Sequence, residues 1–174
     1  MRIARKLTAA AAAAAMVAGV SVLGAGTASA ASYRCTTSTK SIDHPGSTIN
    51  DNFNFKVKMC AKREGGYIYA KAYVSVDGPW NFAGQSPVNE ARALIQVKRS
   101  ISGPDPVSKY TYGTGLGGKL NNLDAYGNTS YTSPTVKHKA GSGSRYLGDS
   151  VLQIDWSNDG KGRKSYSFSG SPTV

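Results

Sequence analysis

A chain of 174 residues, 40% hydrophobic and 9% aromatic, is long enough to bury one compact core and too short for several. Past its first thirty residues no segment is apolar enough to span a membrane as a helix. The formal net charge of +11 favours solubility and an anionic rather than a cationic partner.

Arg2, Arg5 and Lys6 precede an apolar run from Leu7 to about Leu23, and Ala28-Ser29-Ala30 offers the small residues of a cleavage site. This order predicts a secretory signal peptide over residues 1–30, cleaved before Ala31, and a secreted, extracellular product. The chain from Ala31 to Val174 is expected to fold as a single β-sandwich domain, still clearly basic after three cations leave with the signal. Cys35 and Cys60 are the two cysteines, both in the exported part. Oxidising surroundings predict a disulfide between them, closing a loop of about 25 residues and stabilising the fold by roughly 3 kcal/mol. Metal or redox chemistry would need closer spacing or added histidines.

Phe53, Phe55, Val57 and Met59 alternate with Asn54, Lys56 and Lys58, the period-two pattern of a half-buried strand. Glu64-Gly65-Gly66 signals a turn, and Tyr67 to Val76 resumes the alternation, so the two stretches predict a hairpin. A loop from Asp77 to Pro87 leads to a strand over Ala91–Ile101, with a short helix beginning at Glu90 as the rival reading. Pro104-Asp105-Pro106 breaks the chain before a strand at Val107–Tyr112. Gly113–Gly118 and Asn121–Asn128 read as loops, and strands are expected again at Ser130–His138, Arg145–Trp156 and Lys164–Ser169. Short strands punctuated by Gly, Pro, Asn and Ser predict an all-β, antiparallel β-sandwich, immunoglobulin-like or related.

Few residues suggest chemistry. Asp155, Ser157, Asp159 and Gly160 match the first half of a calcium loop, but the twelfth position is Tyr166 instead of an acid, and Lys161, Arg163 and Lys164 crowd the supposed cation. Asp159-Gly160 reads better as a turn between strands, and no metal or other cofactor is expected. His44 and His138 stand in no recognisable nucleophile or metal motif, so the chain is read as non-enzymatic, with a hydrolase or protease inhibitor as the minor alternative. With Ile68, Ala70, Ala72, Val74 and Val76 turned inward, Tyr67, Tyr69, Lys71 and Tyr73 line the other side of their strand. Tyrosines interleaved with a lysine can stack on sugars or bases or anchor a protein partner, while the net charge favours an anionic wall polymer or a protein with an acidic surface. Nucleic acid is not expected, since no recognition helix or paired aromatic RNA motif accompanies the charge.

The Ala-rich leader, the early Cys35, the segment DNFNFKVKMCA around Cys60 and the closing pattern GDSVLQIDWSNDGKGRKSYSFSGSPTV resemble small exported proteins of actinobacteria. Within that type the chain resembles the adaptor subunit of umbrella toxin particles. That resemblance implies a secreted sandwich joining a lectin subunit to the repeat-bearing stalk of a large antibacterial toxin. It implies an N-terminal segment, here Ala31, Ser32, Tyr33 and Arg34, that inserts into the lectin, and a sheet completed or covered by a segment of the toxin. Tyr and Arg are also residue types favoured at binding hot spots. The alternative function is a secreted wall- or glycan-binding module using Tyr67, Tyr69, Lys71 and Tyr73.

Overall fold

The computed structural model describes residues 31–45, 51–157 and 159–174, and the export signal read over residues 1–30 lies outside them. In chain order the elements are β1 (Arg34–Asp43), β2 (Asn52–Glu64), β3 (Tyr67–Asp77), β4 (Val88–Ser100), β5 (Val107–Gly113), a short helix α1 (Leu116–Leu120), β6 (Asn128–Thr132), β7 (Val136–Lys139), β8 (Arg145–Trp156) and β9 (Lys164–Ser167). The first sheet has the order β1-β2-β3, with β6 and β7 both pairing the far side of β3, and the second has the order β5-β4-β8-β9. All pairs are antiparallel, and the two sheets pack as a sandwich.

Each strong alternation in the sequence buries its apolar side. Phe53, Phe55, Val57 and Met59 of β2 and Ile68, Ala70, Ala72 and Val74 of β3 meet Ala93, Ile95, Leu152, Ile154 and Trp156 of the second sheet, all essentially without exposure. Gly65 and Gly66 take positive φ angles of 56° and 77°, so two residues suffice to turn Glu64 back opposite Tyr67. Cys35 and Cys60 face each other across β1 and β2 and form the expected disulfide.

Several boundaries differ from the sequence reading. The helix rival at Glu90 gives way to β4, which pairs with β8 from Val88 to Ser100; burial of Ala91, Ala93, Ile95 and Val97 on one side outweighs the helical propensity of the segment. The Gly-rich loop at 113–118 instead contains the start of α1, whose Leu116 and Leu120 are both fully buried one turn apart. Gly117 permits this: a Cβ there would stand 3.0 Å from the Ala91 backbone nitrogen. The strand expected at Ser130–His138 is split by Ser133-Pro134. Ser133 Oγ accepts from Ala72 N at 2.9 Å and donates to Pro134 O, holding β6 and β7 to the same strand across the break. β1 carries no apolar alternation of its own; pairing with β2 and the disulfide make it a strand.

The sandwich closes differently along its two sides. On one side Ser169 N donates to Ser38 Oγ, and the C-terminal residues continue the run along β8 through paired bonds between Tyr146 and Val174. On the other side β5 lies near β7 and, among the described residues, pairs with β4 alone, leaving it an edge.

Candidate binding surfaces

The outer face of the first sheet collects the tyrosines singled out in the sequence. Tyr67, Tyr69, Lys71 and Tyr73 lie on one side of β3 with their intervening neighbours buried. Register adds flanking lysines: Lys62 and Lys137 lie on either side of Tyr69, Lys139 is opposite Tyr67, and Lys58 is opposite Tyr73. Ammonium groups then cover the rings. Lys137 stands 4.2 Å from the Tyr67 centroid and 5.6 Å from that of Tyr69, Lys62 stands 5.3 Å from Tyr69, and Lys71 stands 5.0 Å from Tyr73. The Glu64 carboxylate, accepting from Lys62 Nζ at 2.6 Å, holds that ammonium above its ordinary range, and a hydrogen bond with Tyr73 does the same for Lys71.

The N-terminal segment belongs to this surface. Tyr33 lies between Lys71, at 4.6 Å, and Lys62, at 5.3 Å, while Ser32 is exposed and Ala31 half-buried. Arg34 Nη1 donates to Thr173 O at 3.0 Å, tying the start of β1 to the C-terminal residues. The four residues Ala31 to Arg34 are therefore laid down beside the disulfide, along the β1 side of the sandwich.

A second surface was not singled out in the sequence. On the β5 edge Val107, Tyr110 and Tyr112 are 45%, 55% and 39% exposed. Tyr110 and Tyr112 stand edge to face at 5.6 Å, Arg92 packs on Tyr112 at 4.0 Å, and half-buried Leu94 and Val151 extend the patch across β4 and β8. Beside Val107, Ser108, Lys109 and Tyr110 runs an open groove of about 510 Å³. On this face Lys98 pairs with Asp149, and Arg92 Nε donates to the neutral Gln153 Oε1 at 2.7 Å. Alternation at Tyr110 and Tyr112 was visible in the sequence, but the free edge that exposes it depends on strand order. Trp80, which begins a 3-10 turn (Trp80–Phe82), and Tyr126 are 76% and 78% exposed, on two connections joined by a bond from Gly78 N to Gly127 O.

The histidines are built into opposite ends of the sandwich. His44 is buried among Phe82, Trp156 and Phe53, with Nε2 3.3 Å from Pro87 O, whereas His138 lies opposite Ile68 and packs on Tyr146. Next to His44, a hydrogen bond to Asp51 and then the charge of that carboxylate raise the Asp43 pKa above its ordinary 3.8. Folded Asp43 thus holds its proton more tightly than the unfolded chain, and this contribution to stability is lost as pH rises through the elevated folded value. Asp43→Asn is expected to raise the thermal midpoint at pH 7 and to narrow its lead over wild type near pH 3.5, about where the ordinary carboxyl is half protonated; an equal shift at both pH values would refute the pairing.

The stretch from Asp155 to Arg163 connects β8 to β9 as expected, but through a longer loop than a tight Asp159-Gly160 turn. Asp159 Oδ1 accepts from Lys161 N at 2.8 Å and Oδ2 lies 3.4 Å from Lys164 Nζ; the backbone bond first, then Lys164, hold this carboxyl below its ordinary range. Arg163 pairs with Glu90. Among the described residues no group of three or more His, Cys, Asp or Glu is placed to hold a metal ion.

The fold and these surfaces define a disulfide-linked β-sandwich with one cationic face and one aromatic edge. Comparison with known protein families, curated proteins and solved structures finds no match for this chain.

Proposed function

We propose that the protein is a secreted, non-enzymatic adaptor that holds two protein partners at once. The observation that carries this reading is the placement of two binding elements on opposite sides of the sandwich. The segment Ala31–Arg34 runs along the β1 side, and the aromatic β5 edge lies on the other. Two partners can then be held without competing for one surface.

Each element has suitable physical chemistry. An edge strand offers unpaired main-chain donors and acceptors to an added strand, and proteins usually blunt such edges. β5 has a single charge, Lys109, along seven residues and carries Val107, Tyr110 and Tyr112 exposed, a combination that favours an extended protein segment. At the other side, Tyr33 and Arg34 are held by contacts near the surface, whose exchange for contacts with a partner involves no loss of core. The resemblance to umbrella-particle adaptors supports assigning a lectin to the N-terminal segment and a toxin stalk to the sheet edge.

The test is recovery of the tagged exported protein from culture supernatant, with mass spectrometry of what accompanies it. Wild type is expected to bring two other proteins in near-fixed ratio. Deleting Ala31–Arg34 should release one of them, and Tyr110→Ala with Tyr112→Ala should release the other, with the sandwich intact by circular dichroism. Recovery of the protein alone, or loss of the same partner from both variants, would overturn the adaptor reading.

A further inference from the structure

We infer that the outer face of the first sheet is a binding surface for a phosphate-bearing polymer, specifically a base-free polyol-phosphate chain of the kind found in cell walls. This surface is separate from the β5 edge and shares Tyr33 with the N-terminal segment, and the inference does not depend on the identity of any protein partner.

Charge is sorted between the two faces of the molecule. Lys56, Lys58 and Lys62 project from β2, Lys71 from β3, and Lys137 and Lys139 from β7, all on the outer side of one sheet. Opposing them on that face are Glu64, which Lys62 engages, and, at the far end, Asp77 of β3 and Asp43 of β1, which lies opposite Asn52. Among the described residues Lys56, Lys58, Lys71, Lys137 and Lys139 form no ion pair, whereas the second sheet pairs Lys98 with Asp149 and Arg163 with Glu90. Neighbouring strands lie about 4.8 Å apart and alternate residues about 6.7 Å apart, so the ammonium groups form a two-dimensional array able to follow a polyanion.

The tyrosines decide which polyanion. In a surface that reads bases or sugar rings, aromatic faces stand free for stacking. Here ammonium groups already occupy the rings: Lys137 on Tyr67, Lys62 and Lys137 on Tyr69, Lys71 on Tyr73, and both Lys62 and Lys71 on Tyr33. The rings thus brace three long, flexible side chains on one another, lowering the entropy lost when a phosphate is bound. What the face presents outward is positioned positive charge. Lys62, Lys71 and Lys137, each contacting two of these rings, form its centre.

The experiment titrates purified glycerol-phosphate polymer onto the exported protein, with single-stranded DNA of matched phosphate number in parallel. Binding to the glycerol-phosphate polymer is expected, with affinity falling linearly in log–log against salt, on the order of 20-fold between about 50 and 200 mM NaCl if three phosphates of a single chain are engaged. Lys62→Gln, Lys71→Gln and Lys137→Gln together should weaken it by at least about tenfold. The same loss of charge elsewhere, through Lys109→Gln, Lys119→Gln and Lys161→Gln, should cost far less. Both triple variants are checked for an unchanged thermal midpoint, and Tyr69→Leu, which keeps every charge, should retain most of the affinity. Equal losses in the two triple variants would mean that net charge alone is responsible. Either that result, absence of binding at low salt, or tighter binding of the DNA would overturn the inference.

Discussion

Replacing Trp156 by alanine is expected to cost the fold about 3–5 kcal/mol, a large part of the 5–15 kcal/mol that holds a typical domain together. Trp156 ends β8 opposite Val88 and is fully buried, with Phe53 and His44 each 5.2 Å from its ring centre and its Nε1 donating to Tyr166 Oη at 3.2 Å. Truncation opens a cavity where both sheets and the His44 region meet, and it deprives the Tyr166 hydroxyl of that donor. Trp156→Phe should cost less, since it keeps most of the packing. The measurement is urea unfolding followed by far-UV circular dichroism, because Trp80, 76% exposed, would remain as the second of two tryptophans and report little of the core. A loss below about 1 kcal/mol would show that the site can collapse around the missing ring.

The sandwich was legible because its central strands advertise themselves. Phe53 to Met59, Ile68 to Val76 and Leu152 to Trp156 alternate so regularly that a shift of one residue would expose the whole apolar set. β1 and α1 were hidden for opposite reasons. The polar run from Arg34 to Ser41 becomes a strand because a better strand and a disulfide lie beside it, and α1 exists because Leu116 and Leu120 find a core that outweighs its two glycines. Neither context is local in sequence.

The surfaces divide the same way. That Tyr67, Tyr69, Lys71 and Tyr73 share a face follows from period two, but the lysines seated on them arrive from β2 and β7, and Tyr33 from beyond the start of β1. The sequence shows the tyrosines and Lys71 of one strand, but not the lysines that β2 and β7 set beside them. Likewise, nothing local marks Tyr110 and Tyr112 as an edge; that depends on β4 having β8, not another strand, on its second side.

Replacing Cys35 and Cys60 together by serine is expected to cost about 3 kcal/mol, chiefly by returning loop freedom to the unfolded chain. A local effect should accompany the global one. The bridge joins β1 to β2 at the end where Tyr33 and Arg34 leave the sheet, and β1 has little buried surface of its own at that end. Without the bridge, Arg34 to Ser38 depend on main-chain pairing with β2, the Arg34 bond to Thr173 and the lysines around Tyr33. Amide exchange there is expected to accelerate beyond what the drop in global stability explains, while the amides of the β4–β8 pairing are expected to exchange slowest in both proteins. Loss of the bridge should also release Tyr33 from Lys62 and Lys71, leaving the ammonium groups in place but less ordered. Affinity of the first face for a phosphate polymer should then fall modestly, through added entropy loss, with the slope of its salt dependence unchanged. A changed slope would mean that the disulfide positions the charges themselves and that Tyr33 is incidental.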